Sequence, residues 1–322
     1  MPKQVGRQEL KMKTSNMPRV SIGVPVYNGE RYVAETLDSL LAQTYKDFEL
    51  IICDNASTDR TQQICEAYAT RDSRIRYVRN AENIGASRNY MLALNLSSGE
   101  YFRWANSDDL FAPEGVARCV EILDREPSVV LAYPKTKLID ERSNVISEYD
   151  DEMHIQSSKA SERFAQVMER LGYVNVIYGL MRANILRQTG LLRNFPGGDI
   201  PLVAELALYG KFHEIPEFLF FRRLHPTASS SYKDNVSRTQ EFFDPSTKGK
   251  ISLRQWQHLW AHGRSVMRAP LGIAEKMRLY VFILRLGNWK RGALARELIG
   301  ATRHVARRLQ MRVGRLFTTS RN

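Results

Sequence analysis

The feature that most constrains this chain is an alternation that begins at Arg19 and continues to Asn106. β-rich apolar runs trade places with amphipathic ones: "RVSIGVPVYN", then "GERYVAETLDSLLAQ" with apolar residues at Val33, Leu37, Leu40 and Leu41, then "FELIICDNAS", "DRTQQICEAYA", "RIRYVRN", "GASRNYMLALNLS" and "EYFRWAN". Strands that are apolar along their whole length need cover on both faces, and helices between them supply it. The pattern therefore predicts an α/β fold, a mostly parallel, Rossmann-like sheet flanked by helices. Such sheets place ligand sites at the carboxyl ends of their strands. Three polar loops, "VYNGE", "CDNASTD" and "NSDD", fall there.

Further along, "PSVVLAYPKTKLID" predicts a fifth strand and the pattern becomes mixed. "ASERFAQVMERL" and "DIPLVAELALYGKF" read as helices, "YVNVIYGLMR" and "HEIPEFLFFRR" as strands. The polar, turn-rich "SSYKDNVSRTQEFFDPSTKGK" is expected to be a linker or mobile loop. Residues 1–18 have scattered charges and no apolar core of a secretion signal, so a disordered leader on a cytoplasmic protein is expected. The longest apolar candidate for a membrane span, "LYVFIL", ends at Arg285, far short of the roughly 18 residues required. Cys53, Cys65 and Cys119 lack metal or disulfide spacing and read as small buried hydrophobes.

The net charge of +12 is concentrated at one end. From Thr247 onward there are 17 Lys and Arg against Glu275 and Glu297, a net of +15, which leaves −3 for the rest. Leu294, Leu298, Ala301, Val305 and Leu309 recur at helical spacing with arginines between them, which predicts a basic amphipathic helix. Two readings stay open: contact with an anionic membrane, which would give access to a lipid-linked acceptor, or helices that pack on the body and keep a solvated basic face. Nucleic acid ranks third, because no aromatic platform or recognised motif accompanies the charge.

Each polar loop has a plain reading beside a functional one. In "CDNASTD", Asp54 and Asn55 form a turn, or accept a hydrogen bond from the imide N–H of a pyrimidine base. Tyr27 in "PVYN" is core edge or a stacking surface. In "NIGASRN", Asn83 to Asn89, a helix N-terminus and Arg88 would both suit a diphosphate, or form an ordinary cap with a solvated arginine. In "NSDD", Asn106 or Ser107 caps a turn, yet the adjacent carboxylates of Asp108 and Asp109 repel unless a donor or a hard cation such as Mg2+ or Mn2+ stands by. Asp199 after two glycines is a helix cap or a general base, and His225 in "RRLHP" a surface histidine or a metal ligand.

In this order the motifs resemble glycosyltransferase family 2, inverting nucleotide-sugar enzymes of GT-A fold. The resemblance spans about Val20 to Pro226 and is most specific in "VSIGVPVYNGERYVAETLDSLLAQTYKDFELIICDNASTD", "NIGASRNYMLAL" and "GEYFRWANSDDLFAPEGV". It implies a catalytic domain at 19–235, donor-binding over 19–140 and acceptor-binding over 141–235, followed by a basic helical extension at 236–322. By position, Pro25, Val26, Tyr27, Asp54, Asn55 and Asn83 would hold the donor nucleoside and Arg88 its phosphates. The family's DxD motif falls on Asn106, Ser107 and Asp108, with Asp108 and His225 as ligands of Mg2+ or Mn2+ and Asp199 as catalytic base.

The resemblance implies transfer from a nucleoside-diphosphate sugar, UDP or dTDP favoured, to a glycan or lipid-linked acceptor in cell-envelope polysaccharide or glycolipid assembly, in the cytoplasm or at the inner face of the membrane. Asn55 and Asn106 stand where the family often has acids. They motivate the alternative of a non-catalytic binding or scaffold protein. A sugar nucleotidyltransferase, which would release pyrophosphate, is a third reading.

Overall fold

The first parallel strands form where the sequence is apolar on both faces. The structure is a computed structural model that describes residues 17–226, Ala228, 236–247 and 250–319, with backbone alone at 236–238, 241, 305 and 307–319. Strands β1 (Val20–Val26), β2 (Phe48–Asp54), β3 (Ile75–Arg79) and β4 (Tyr101–Trp104) lie in parallel in the order β3-β2-β1-β4. Helices α1 (Val33–Leu41), α2 (Thr61–Arg71) and α3 (Ala86–Leu96) are the crossovers. Tyr101 packs with one face's core and its neighbours Phe102 and Trp104 with the other's, as a strand buried on both sides requires. Register aligns the carboxyl ends, Val26 beside Asp54 and Asp54 beside Arg79, so their following loops start level.

The second half adds β5 (Leu110–Phe111), α4 (Gly115–Arg125), β6 (Val129–Ile139), β7 (Val145–Tyr149), α5 (Ala160–Glu169), β8 (Leu180–Arg182), α6 (Ala183–Leu186), α7 (Asp199–Tyr209) and β9 (Lys211–Arg223). The sheet order becomes β3-β2-β1-β4-β8-β6-β9-β5, with β7 on β6. Short β8 runs antiparallel to both β4 and β6, while β6 and β9 are parallel, so the sheet is mostly parallel with an antiparallel seam.

Two expectations are corrected. "YVNVIYGLMR" is not one strand: Val174 adopts left-handed φ (60°), Asn175–Tyr178 is a 3-10 turn, and only Leu180–Arg182 pairs. The Asp151 carboxylate accepts from Asn175 N (3.2 Å) and holds that turn off the ladder. The expected polar linker contains helix α8 (Val236–Phe243) and a 3-10 turn at Pro245–Thr247; its residues 230–235 and 248–249 lie outside the described residues, as do 1–16 of the expected leader. Asp244 stops α8, accepting from Ser246 N (3.0 Å) and from the Asn194 amide (2.5 Å).

Helices α9 (Arg254–Arg268), α10 (Ile273–Trp289) and α11 (Arg291–Thr319) complete the chain described. Val266, Ala269, Leu279 and Ile283 enter the same apolar cluster as Phe164 of α5 and Leu206 of α7, so α9 and α10 are part of the body's packing. Among the described residues, no helix is long and apolar enough to cross a membrane.

Asp151 supplies a pH test of this core. Burial, opposed by the Asn175 N–H and by Arg222, pushes its carboxyl up to about 7. The native state thus keeps a proton that the unfolded chain releases near 3.8, so this group's stabilising contribution is complete below about pH 4 and is lost as pH rises through about 7. Urea denaturation should find Asp151→Asn less sensitive than the parent to a change from pH 5 to pH 8, and more stable than it at pH 8. An unchanged slope would show that Asp151 ionises freely.

Candidate active site

The polar loops after β1, β2 and β4 meet in a cavity of about 720 Å³. Its wall includes Pro25, Val26, Tyr27, Asn55, Asn83, Asn106, Ser107, Asp108 and His225, which the sequence reading had collected from five separate stretches. Tyr27 is 48% exposed, an aromatic surface left open at the end of β1. Asn55 contributes to the wall with its amide already engaged: Oδ1 accepts from Asn80 Nδ2 (3.1 Å) and Ile84 N (2.9 Å), and Nδ2 donates to Asn83 Oδ1 (2.8 Å).

Two expected donor residues lie elsewhere. Asp54 is fully buried, and its carboxylate accepts from Ser57 N (2.9 Å) and Tyr77 Oη (2.7 Å) beside Arg79 Nε (3.3 Å), the plain turn geometry. Arg88, on the first turn of α3, does not line the cavity; its guanidinium sits 3.6 Å from Asp244 Oδ2. The segment after α8 lies directly on this helix start. Gly85 has φ 84°, and a Cβ there would meet Phe243 O at 2.5 Å, so both conformation and space demand glycine.

The acidic loop separates its two carboxylates by role. Asp108 Oδ2 lies 2.9 Å from His225 Nε2, and its side chain is 26% exposed at the cavity. Asp109 is 1% exposed and is used internally: Oδ1 accepts from Arg223 N (2.8 Å) and Oδ2 from Asn106 Nδ2 (2.9 Å). Asn106 in turn accepts from the Tyr90 hydroxyl, whose burial pushes its titration up and keeps it a donor. An amide is what this position needs, since a carboxylate could accept from Tyr90 but could not donate to Asp109.

Buried Arg223 clamps the loop from below. Its Nε donates to Asp108 O (2.8 Å), and its terminal nitrogens reach Ser143 Oγ (3.0 Å), Asp140 O (3.3 Å) and Glu35 Oε2 (2.8 Å). Tyr32 lies between Arg223 and His225, its ring 5.0 Å from the imidazole and 4.5 Å below the guanidinium carbon. Sequence reasoning missed Tyr32, Tyr90, Arg223 and Phe242, because nothing local marks any of them.

Asp199 opens α7 beside a second, smaller cavity of about 80 Å³. Ala86, Tyr90 and Phe242 line both cavities, so the two adjoin. Gly198 is required by space, since a Cβ there would lie 2.1 Å from Arg193 O, and Gly197 by its left-handed φ of 76°. Asp199 Oδ1 accepts from Ile200 N (3.1 Å). Its surroundings exclude enough water to push the carboxyl above its ordinary 3.8, against the opposing pull of the backbone N–H groups, Arg222 and Arg254.

Among the described residues there is no cluster of three or more His, Cys, Asp or Glu that could hold a metal alone. The Asp108–His225 pair is compatible with a cation completed by substrate: Mg2+ typically takes one or two carboxylates, waters and phosphate oxygens rather than an all-protein cage.

A sheet of this order, with loops from its parallel strands walling one cavity and an acidic loop at the end of β4, defines the GT-A glycosyltransferase fold. The chain belongs to the family described as glycosyl transferase family 2, whose model matches residues 21–189, just over half of it. It is 28% identical over 223 residues to an uncharacterized glycosyltransferase of Haemophilus influenzae, covering 67% of this chain and 68% of that one. It is 40% identical over 111 residues to the putative glycosyltransferase EpsE of Bacillus subtilis, 34% of this chain and 39% of that one, and 33% identical over 132 residues to the chondroitin synthase of Escherichia coli, 41% and 19%. The matched segment thus spans well under half of those two relatives.

Solved structures agree on the fold. S. aureus TarS 1-349 in complex with UDP-GlcNAc superposes with TM-score 0.52 at 18% identity, over 78% of this chain and 82% of that one. The mannosyltransferase PcManGT of Pyrobaculum calidifontis, in complex with GDP-Man and Mn2+, gives 0.52 at 17%, over 93% and 81%.

Proposed function

We propose that this protein is an inverting glycosyltransferase that moves a sugar from a nucleoside-diphosphate sugar, UDP or dTDP before others, to an acceptor hydroxyl in polysaccharide or glycolipid assembly. The observation that carries the reading is the adjacency of the two cavities. One, with the volume of a typical small-molecule site, has Asp108 and His225 at its wall; the other holds a carboxylate of raised pKa. That UDP-GlcNAc and GDP-Man occupy structures of the same fold supports a nucleotide-sugar donor.

The donor nucleoside would lie along Pro25–Tyr27 and Asn55, with its diphosphate toward Asp108. Asp108 and His225 would hold Mg2+ or Mn2+, which supplies neutralisation of charge on the diphosphate. Asp199, ionised, accepts the acceptor hydroxyl's proton as that oxygen bonds to the anomeric carbon. The bond from that carbon to the diphosphate oxygen breaks, and the nucleoside diphosphate leaves from the opposite face. Tyr90 and Phe242 line both cavities and so flank the path between donor and base.

A thermal-shift experiment tests the donor half. UDP with Mn2+ should raise the melting temperature by about 5 °C at a hundredfold excess over its Kd, and neither alone should do so as well. Asp108→Ala should abolish the joint shift. Absence of any shift across nucleoside diphosphates with Mn2+ or Mg2+ overturns the reading. Release of pyrophosphate, instead of a nucleoside diphosphate, would point to nucleotidyl transfer, and tight binding without turnover of any donor to a scaffold.

A further inference from the structure

Helices α9 and α10 each carry an exposed apolar stripe on the side away from the body they pack against. On α10, Ile273 (82% exposed), Met277 (58%), Val281 (44%) and Leu284 (73%) are spaced four, four and three residues apart. At about 100° per residue they form one stripe some 80° wide and about 17 Å long. The buried residues of the same helix, Leu279 and Ile283, lie on the far side. Helix α9 repeats the spacing with Trp256 (41%), Trp260 (70%), Arg264 and Met267 (68%).

The two stripes face the same way. Lys276 Nζ reaches Met267 O (2.9 Å), Tyr280 Oη reaches Gly263 O (3.5 Å), and Gly287 lies against Leu259, so the helices are antiparallel neighbours. On each, the exposed stripe lies roughly 70° around from that line of contact, on the side away from the buried residues. In an antiparallel pair this brings both stripes onto one outer surface.

Outside its ion pairs, the charge on this surface is of one sign. Arg278 and Arg285 flank the α10 stripe and Arg264 lies in the α9 stripe, whereas Arg268 is bound to buried Glu205 of α7. The two acids of the segment are spent elsewhere: Glu275 accepts from Ser161 N (2.9 Å) at the start of α5 and pairs with Arg278, and Glu297 accepts from Gln255 N (2.9 Å) at the start of α9. Arg264 and Arg285 form no ion pair among the described residues.

We propose that the joined outer face of α9 and α10 docks this protein onto an anionic lipid bilayer, with Trp260, Ile273, Met277 and Leu284 entering the headgroup boundary and Arg264 and Arg285 contacting lipid phosphates. An apolar stripe edged by cations is the pattern of a helix lying in a membrane surface, and tryptophan favours that boundary. A nucleic-acid partner would leave the aliphatic stripe in water, and a second copy of this chain would set arginines against arginines. The same helix touches the site from its buried side: His258 of α9 lies 3.3 Å from Pro196 O and against Gly197, in the loop that carries Asp199.

The test uses the full chain and sedimentation with vesicles of phosphatidylcholine alone or with one quarter phosphatidylglycerol. Binding should be at least tenfold tighter to the anionic vesicles and should weaken in 0.5 M salt. Arg264→Gln with Arg285→Gln should weaken it about 25-fold, at roughly fivefold per cation. Trp260→Glu with Leu284→Glu should remove it, with circular dichroism and the nucleotide-induced thermal shift retained. These readouts do not depend on turnover, so failure here leaves the proposed reaction standing. Equal binding to neutral and anionic vesicles, indifference to either pair of substitutions, a dimer that the Glu pair dissociates in the absence of vesicle binding, or undiminished duplex DNA binding by the Glu pair would each overturn the proposal.

Discussion

Asp199→Asn should reduce kcat by about 10²- to 10⁴-fold while leaving nucleotide affinity within twofold of the parent, the range that a positioned general base contributes. Asparagine keeps the oxygen that accepts from Ile200 N, so the start of α7 should persist and the thermal-shift response to UDP and Mn2+ should survive. What is lost is the ability to take the hydroxyl proton. The pH profile gives an independent check. Asp199 must be ionised to act, and burial raises its titration above 3.8, so activity should fall as pH drops through that raised value, leaving an acid limb displaced upward from ordinary carboxylate behaviour. Turnover in the variant equal to the parent would remove Asp199 from the mechanism, and a variant that lost nucleotide binding as well would assign it a structural role.

How much of this was legible depends on how far apart partners lie in sequence. The parallel half of the sheet was readable because β1, β2 and β4 are buried along their length and carry that burial in their composition. The stretch at Tyr173–Arg182 was not, since its apolar run has neither period two nor 3.6, and the turn that follows left-handed Val174 is held at Asn175 N by Asp151, outside the run itself. Helix α8 was hidden by polar composition, although its Phe242 walls both cavities. Order along the chain suggested that Asp54 and Arg88 face a donor. Only the fold reveals that Tyr77 and Arg79 hold the first and that Asp244 sits against the second. The exposed stripes of α9 and α10 have a similar origin: periodicity shows that a helix is apolar, and packing shows which apolar face is left uncovered.

Arg223 makes the same point with a larger energetic consequence, because the dipeptide Arg222–Arg223 gives no hint that its members differ. Arg223→Met should destabilise the protein by roughly 3 kcal/mol. Methionine can fill much of the volume, but the buried carbonyls of Asp108 and Asp140 lose a charged donor, and hydrogen bonds to charged groups are worth about 1.5–3 kcal/mol each before compensation by water. Glu35 is half exposed and can recover solvent, which keeps the cost below that of stranding a fully buried ion. For a chain of this size the melting temperature should fall by roughly 5–10 °C. Arg118→Met, which breaks exposed pairs with Glu121 and Glu217, should leave the melting temperature nearly unchanged. The functional readout separates clamp from ballast. The 106–109 loop is tied to β9 through Arg223, so nucleotide binding with Mn2+ should weaken in Arg223→Met even at temperatures where the variant is fully folded. A folded variant that binds nucleotide and metal like the parent would show that Asp108 holds its place through His225 alone.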